Sequence, residues 1–189
     1  MEKIKFRSTT ILGVRIGKKV ALGGDGQVTM GDIKMKSKAL KVRDFSNGTV
    51  LGGFAGAAAD AMSLFERFEG KLEEAHGNLQ RAVVEMAKDW RTDKVLKDLD
   101  ALLAIMDNNN SYLLSGSGDV IEPDGPIISI GSGSGYAIAA AQAFLSANIK
   151  DPKKIVKKSL TIASEICIYT NNEINILEIK WSIWHLKKL

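Results

Sequence analysis

Two amphipathic helices are predicted next to each other, with only Gly77-Asn78 between them, and this arrangement restricts the fold most strongly. Apolar residues recur every three or four positions in both segments: Ala61, Phe65, Phe68 and Leu72, then Leu79, Val83, Met86 and Trp90. A second adjacent pair is predicted at 136–147 and from Asp151 to about Tyr169. Adjacent helices argue against a parallel sheet, in which strands and helices alternate. The sequence therefore predicts an α+β fold, an αββα four-layer sandwich of antiparallel sheets with helices outside.

Short apolar segments separated by turns supply the strands of this sandwich. They are predicted at 9–16, 19–23, 50–56, 101–106, 111–115, 127–130 and 173–179. Asn47-Gly48 indicates a hairpin before the third of these strands. The segment 34–43 alternates only partly, so its buried face stays ambiguous.

The length and composition favour a single domain in a reducing compartment. A chain of 189 residues fits one domain, and no apolar run is long enough to predict a membrane span. Cys167 is the only cysteine, so the chain cannot form an internal disulfide. We expect a cytoplasmic protein without a membrane anchor.

The positive charge is concentrated at the two ends of the chain. Of the net charge of +4, residues 1–8 carry +2 and residues 180–189 carry +3, which leaves −1 for residues 9–179. A nucleic-acid-binding protein should carry a basic stripe on its folded body. Because residues 9–179 carry no excess of positive charge, we do not expect this chain to bind nucleic acid. We divide the chain into a leader at 1–8, one main domain at 9–179 and an extension at 180–189.

Thr9 is the strongest candidate nucleophile. The two histidines, His76 and His185, make a Ser-His-Asp triad or a histidine metal site improbable, and Cys167 is predicted to be a core thiol. If residues 1–8 are removed, Thr9 gains a free α-amino group, which has a pKa of about 7.7–8.0 and can act as its base. The alternative from these residues alone is a frayed leader before a first strand.

Such a nucleophile needs a nearby cation, an acid to hold that cation, and a backbone N–H for the oxyanion. Lys41, Asp25 and Gly53 are of the right types and lie in or beside short strands. Each also has a purely structural interpretation. The segment 24–27 could be a hairpin loop, and the glycines near Gly53 could serve tight packing.

Seven motifs occur together and in order along the chain. They are Thr9-Thr10-Ile11, Gly24-Asp25-Gly26-Gln27, Lys41-Val42-Arg43, Gly53-Phe54-Ala55-Gly56 with Ala59-Asp60, Ala87-Lys88-Asp89-Trp90-Arg91-Thr92-Asp93, Ile130-Gly131-Ser132-Gly133 and Ile166-Cys167-Ile168-Tyr169-Thr170-Asn171. From 9 to 179 the chain resembles the HslV (ClpQ) family, the peptidases of the bacterial HslUV protease and relatives of proteasome β-subunits.

The resemblance implies a threonine-type endopeptidase with the fold of the N-terminal-nucleophile hydrolases. It assigns the nucleophile to Thr9, the charged partners to Asp25 and Lys41, a supporting role to Ser132, and the oxyanion-binding strand to Gly53. It requires no organic cofactor. The leader must be removed before Thr9, and removal one residue earlier would instead leave Ser8 as the nucleophile.

The resemblance also implies a cation and several partners. A sodium ion would be bound by the main-chain carbonyls of Ser164, Cys167 and Thr170, although Ser164 stands where the family usually has glycine. The chain would assemble into two stacked hexameric rings. An HslU-type ATPase hexamer would deliver unfolded polypeptides and activate the peptidase allosterically. A non-catalytic ring subunit of the same fold and another N-terminal-nucleophile amidohydrolase remain as alternatives.

Overall fold

A computed structural model describes residues 9–56, 58–93 and 101–179. The predicted leader at 1–8 and extension at 180–189 lie outside the described residues. The first part contains six strands: β1 (Thr10–Ile16), β2 (Lys19–Gly24), β3 (Val28–Met30), β4 (Ile33–Lys36), β5 (Val42–Phe45) and β6 (Val50–Ala55). The rest comprises α1 (Ala58–Glu74), α2 (Leu79–Thr92), β7 (Leu102–Met106), β8 (Ser111–Ser115), β9 (Val120–Ile121), β10 (Ile127–Gly131), α3 (Ser134–Ser146), α4 (Pro152–Ile166) and β11 (Asn175–Glu178).

Two antiparallel sheets form the centre of the molecule. One has the strand order β10-β1-β2-β11 and the other the order β5-β6-β7-β8-β9, while β3 and β4 form a separate two-stranded sheet. In the first sheet β1 pairs with β10 on one side and with β2 on the other. The first strand is therefore an interior strand, fixed along both edges.

Three apolar layers show how the sheets and helices stack. One cluster, which includes Ile11, Leu51 and Ala104, joins strands of the two sheets. A second joins α1 and α2 to the five-stranded sheet, and a third joins α3 and α4 to the four-stranded sheet. Neighbouring residues of β1 divide between layers, Ile11 facing the other sheet and Leu12 facing the helices, because strand side chains alternate. The predicted αββα sandwich is confirmed.

The predicted helical stripes are buried wherever the structure describes their side chains. Phe68 and Leu72 of α1 and Met86 and Trp90 of α2 are at most 1% exposed. The side chain of Asn78 accepts the N–H of Arg81 at the start of α2, which satisfies one of the unpaired amides of a helix end. The caps and the apolar spacing together determine where this helix begins and which face it buries.

Several predicted boundaries were wrong. Helix α4 ends at Ile166 rather than near Tyr169, because Cys167 turns to φ −90° and ψ 114° and forms its C-cap. Cys167 is still buried, but at this cap and not on an apolar helix face. Helix α3 starts at Ser134, two residues before the predicted start. The ambiguous segment 34–43 contains most of β4, a connection and the start of β5, in two different sheets.

The segment 24–27 is not a simple hairpin loop. It leaves β2 in the four-stranded sheet and leads to β3 in the small sheet. Asp25 within it is 1% exposed, unlike a residue at the tip of an ordinary surface turn. No helix among the described residues is long and apolar enough to span a bilayer.

Candidate active site

Thr9 lies directly before β1 and is 4% exposed. Its carbonyl oxygen accepts the N–H of Ser132 at 2.9 Å. Gly131 beside it has φ +95°, and a Cβ there would lie 1.9 Å from the Thr9 oxygen. Only glycine permits this approach, so the turn after β10 is fixed against the candidate nucleophile.

Asp25 receives four hydrogen bonds at the end of β2. Its Oδ1 accepts the Thr10 N–H at 2.7 Å and the Lys41 ammonium at 2.9 Å. Its Oδ2 accepts the N–H groups of Gln27 at 2.8 Å and Asn171 at 3.3 Å. The side chain is fully buried, so these donors replace the water that an exposed carboxylate would bind.

Lys41 lies just before β5 and is 7% exposed. Its Nζ donates to Asp25 Oδ1 and, at 2.5 Å, to the carbonyl oxygen of Gln27. Burial lowers the pKa of Lys41 below its ordinary value of 10.5, while the charge and hydrogen bond of Asp25 oppose that shift. Asp25 Oδ1 also binds the N–H of Thr10, the residue that follows the candidate nucleophile in the sequence. One carboxylate oxygen therefore connects Lys41 to the start of β1.

Thr9 and Ser132 line the same open cleft of about 690 Å³. Its other walls come from the ends of β6, β7 and β10 and from the residues around the C-terminus of α4. Ile166 and Ile168, on the α4 side, are 55% and 79% exposed. A partly apolar groove therefore runs past Thr9 and past Ser132, which is an exposed residue.

Gly53 occupies a different position from these residues. It lies inside β6, paired with Val42 and Ala104, and a Cβ there would lie 2.5 Å from a methyl group of Ile11. The end of this strand reaches the cleft, which is lined by Ala55 and by the next residue, Gly56. The close packing of Gly53 is therefore explained, while its oxyanion role stays a prediction.

The predicted cation ligands cluster where α4 ends. Ser164 lies in the last turn with its hydroxyl donating to the Thr161 carbonyl, and Thr170 donates its N–H to the Cys167 carbonyl at 3.0 Å. Ser164 is not among the described residues with positive φ, so serine fits this backbone without strain. Helix C-termini leave carbonyl oxygens free of helical partners, and such oxygens suit a hard cation.

The sequence interpretation missed Asn171 and Thr10. The Asn171 side chain accepts the Gly26 N–H at 3.0 Å and donates to the Ser37 carbonyl at 2.9 Å. Thr10 contributes its N–H to Asp25 and its hydroxyl to a contact with Thr170. Both residues lie in recognised motifs, but nothing in their spacing along the chain indicates which group they bind.

Comparisons with known proteins identify the family of this chain. Residues 5–179 match the proteasome subunit family. The ATP-dependent protease subunit HslV of Pseudothermotoga lettingae is 53% identical over 176 residues, which cover 93% of this chain and 100% of that protein. The crystal structure of eukaryotic HslV from Trypanosoma brucei superposes with a TM-score of 0.85 at 42% identity, covering 91% of this chain and 99% of that one.

A more distant structure shares the fold alone. Thiobacillus denitrificans BPH, solved in complex with epoxomicin, has a TM-score of 0.72 at 17% identity and covers 92% of this chain and 99% of its own. The identity to the two HslV proteins extends across nearly their whole length. The chain belongs to the proteasome subunit family and, within it, to the HslV protease subunits.

Proposed function

We propose that this chain is a threonine endopeptidase subunit that uses Thr9 as its nucleophile. The observation that carries the proposal is that Thr9 lines an open cleft and directly precedes Thr10, whose N–H binds the buried Asp25–Lys41 pair. HslV proteins are protease subunits of the threonine-peptidase type, so the family supports the same chemistry.

The proposed reaction begins when removal of residues 1–8 frees the α-amine of Thr9. The neutral amine takes the proton from Thr9 Oγ1 while that oxygen attacks a substrate carbonyl. The proton then passes to the leaving amine, and an ester joins the substrate to Thr9. Water, deprotonated by the same amine, cleaves the ester and restores the hydroxyl.

Lys41 and Asp25 would support this reaction electrostatically. A positive Lys41 favours the neutral form of the neighbouring amine and stabilises the developing negative charge on oxygen. Asp25 keeps Lys41 in place through the 2.9 Å contact. Ser132, whose N–H holds the Thr9 carbonyl, is suited to a supporting role in proton transfer. A backbone amide of β6 would bind the oxyanion, and the predicted residue for this is Gly53.

The cleft supports an extended, unfolded polypeptide as the substrate. Strand ends border it, and Ile166 and Ile168 expose apolar surface along one side. Apolar side chains that are hidden in folded proteins become available only when a substrate is unfolded. The Pseudothermotoga relative is named an ATP-dependent protease subunit, and we propose the same dependence on ATP for this chain. Its partner would be an HslU-type ATPase hexamer that unfolds substrates and activates the peptidase.

We further propose assembly into two stacked hexameric rings. The isolated β3–β4 sheet and the segment after it expose Ile33, Met35 and Leu40 by 62%, 58% and 78%, and a lone two-stranded sheet is only marginally stable without support. Sedimentation should give a particle of twelve chains, and a monomer would contradict the proposal.

Because Cys167 is the single cysteine, we propose the cytoplasm as the compartment.

A sodium ion held by the carbonyls of Ser164, Cys167 and Thr170 is part of the same proposal. Such an ion would stabilise the loop after α4, which carries Asn171 to Asp25. The midpoint of thermal unfolding should be higher in sodium chloride than in choline chloride at equal ionic strength. Equal midpoints in the two salts would argue against the ion.

Replacement of Thr9 provides the decisive test. With the ATPase present, Thr9→Ala should cleave a fluorogenic peptide at least about 10³-fold more slowly, because the nucleophile is lost. Thr9→Ser is the matched control, since it keeps a hydroxyl, and it should retain measurable activity. Undiminished cleavage by Thr9→Ala would refute the assignment.

The intact mass of the purified protein shows which residue forms the mature N-terminus and, together with activity, distinguishes the alternative functions. Loss of residues 1–8 indicates a free Thr9 amine, and loss of residues 1–7 transfers the nucleophile to Ser8. A retained leader together with no activity would favour a non-catalytic ring subunit. Cleavage of small amides but not of peptides would favour another N-terminal-nucleophile amidohydrolase.

A further inference from the structure

Two buried threonine hydroxyls join the first strand to the loop after α4. Thr10 Oγ1 and Thr170 Oγ1 lie 2.6 Å apart, although the residues are 160 positions apart in the chain. The residues are 0% and 4% exposed. The Thr10 hydroxyl oxygen also accepts the N–H of Gly133 at 3.0 Å. One hydroxyl therefore connects three segments of the chain next to the candidate nucleophile.

This threonine pair is attached to the turn that holds Thr9. The N–H of Ser132 donates to the Thr9 carbonyl, and the next amide, that of Gly133, donates to the Thr10 hydroxyl. Consecutive amides of the turn thus bind consecutive residues of the chain at the start of β1. The position of Ser132 relative to Thr9 depends on where the Thr10 hydroxyl is held.

The space around the pair allows little adjustment. A Cβ on Gly133 would lie 2.3 Å from Thr10 Oγ1 and 2.7 Å from Thr170 Oγ1. These distances are shorter than any van der Waals contact, so the turn packs directly against both hydroxyls. A shift of either hydroxyl would move the turn that carries Ser132.

The loop that supplies Thr170 also reaches the other side of the site. The N–H of Asn171 donates to Asp25 Oδ2 at 3.3 Å. Two consecutive residues therefore contact the two flanks of the nucleophile, Thr170 on the Ser132 side and Asn171 on the Asp25 side.

We propose that the hydroxyls of Thr10 and Thr170 form a positioning pair that fixes Ser132 against Thr9; the inference rests on the proposed threonine peptidase. The pair acts through the Gly133 amide and is not itself catalytic. Its contribution is to hold two reacting groups in register, and small displacements of such groups cost large factors in rate.

Thr170→Val tests the pair, because valine keeps the shape of threonine and removes the hydroxyl. In the assembled protein with its ATPase partner, kcat for a fluorogenic peptide should fall on the order of tenfold to a hundredfold, with KM unchanged. Thr170→Ser keeps the hydroxyl and should restore most of kcat. The carbonyl of Thr170 is present in all three proteins, so a main-chain cation ligand is retained.

Ser159→Ala is the matched control. Ser159 is fully buried in α4, and among the described residues its hydroxyl has no hydrogen-bond partner. Ser159→Ala deletes a buried hydroxyl from α4, the helix before the loop that carries Thr170, without breaking a hydrogen bond, so kcat should stay at the wild-type value. Intact mass is measured for each variant, so that kcat refers to chains with a free Thr9.

A double-mutant cycle isolates the bond between the two hydroxyls. Because Thr10→Val and Thr170→Val each remove the same bond, the double variant should be no slower than the slower single variant. If Thr170→Val does not assemble, Thr10→Val against Thr10→Ser tests the pair together with the bond from the Gly133 N–H, because the Thr10 hydroxyl takes part in both.

The possible results separate this inference from the proposed function. Wild-type kcat in Thr170→Val, or equal losses in Thr170→Val and Thr170→Ser, would overturn the positioning pair and leave the Thr9 assignment intact. Full activity in Thr9→Ala would overturn both.

Discussion

Asp25 illustrates how one residue can depend on distant parts of the chain. Its four donors come from Thr10, Gln27, Lys41 and Asn171, and three of them are backbone amides. An ionised carboxylate is suited to this position because it accepts at both oxygens and donates at neither. The site therefore selects for an aspartate on structural grounds as well as chemical ones.

Asp25→Asn should destabilise the protein by about 3–5 kcal/mol, because it leaves the Lys41 charge buried without its partner. The asparagine would also turn an NH₂ group toward N–H donors wherever its amide nitrogen replaces an oxygen. Urea unfolding at pH 7 and fixed protein concentration measures the change. Asp44→Asn, at an exposed position in β5, is the control and should have little effect. A loss below about 1 kcal/mol in Asp25→Asn would contradict this view of the site.

At the scale of the secondary structure, the periodic elements were predictable and the junctions were not. The stripes of α1 and α2 are long and regular, so their spacing determined both the helices and their buried faces. The end of α4 was missed because Cys167 and Ile168 continue an apolar pattern while the backbone has already left the helix. The segment 34–43 was missed because its two strands belong to different sheets, which local alternation does not reveal.

The candidate site shows the same division. Residue types and motif order pointed to Thr9, Asp25, Lys41 and Ser132, and the structure brings these four together. The supporting contacts of Thr170 and Asn171 depend on tertiary packing across more than 140 positions of sequence. No local pattern encodes such a contact, so it could not be derived from the sequence.

The turn between β10 and α3 provides a prediction at this scale. Gly133→Ala should force the Thr10 and Thr170 hydroxyls apart, at a cost of about 1–3 kcal/mol, with a loss of peptide cleavage. Gly135→Ala, two residues later and already in the first turn of α3, should be neutral or stabilising by about 0.5–1 kcal/mol, because a Cβ there meets nothing within 4 Å. Thermal unfolding and peptide cleavage of both variants test the contrast. Equal behaviour of the two would show that crowding at Gly133 is unimportant.

At the scale of the whole molecule, the sandwich depends on three separate apolar layers. The layer under α1 and α2 contains most of the aromatic residues that the structure describes, with the Phe45 and Phe68 rings 5.2 Å apart in an edge-to-face arrangement. Such pairs add to the free energy of burial. This outer layer supports the five-stranded sheet, which in turn supports Gly53 and the cleft end of β6.

Phe68→Ala should lower the free energy of unfolding by about 3–5 kcal/mol, because it leaves a cavity in a fully buried layer. Met62→Ala in the same helix is the control, since Met62 is 60% exposed. Urea unfolding at a fixed protein concentration compares the two. A Phe68→Ala protein as stable as the control would mean that the layer closes around the cavity.

The interior position of β1 has a consequence for the order in which the protein is made. Thr9 and Thr10 together contact β10, Ser132 and the loop at 170–171, all of which follow them much later in the sequence. A ribosome therefore makes Thr9 long before it makes these partners. Until translation has passed Asn171, the proposed site cannot be assembled, so a chain still being synthesised should not cleave itself or its neighbours.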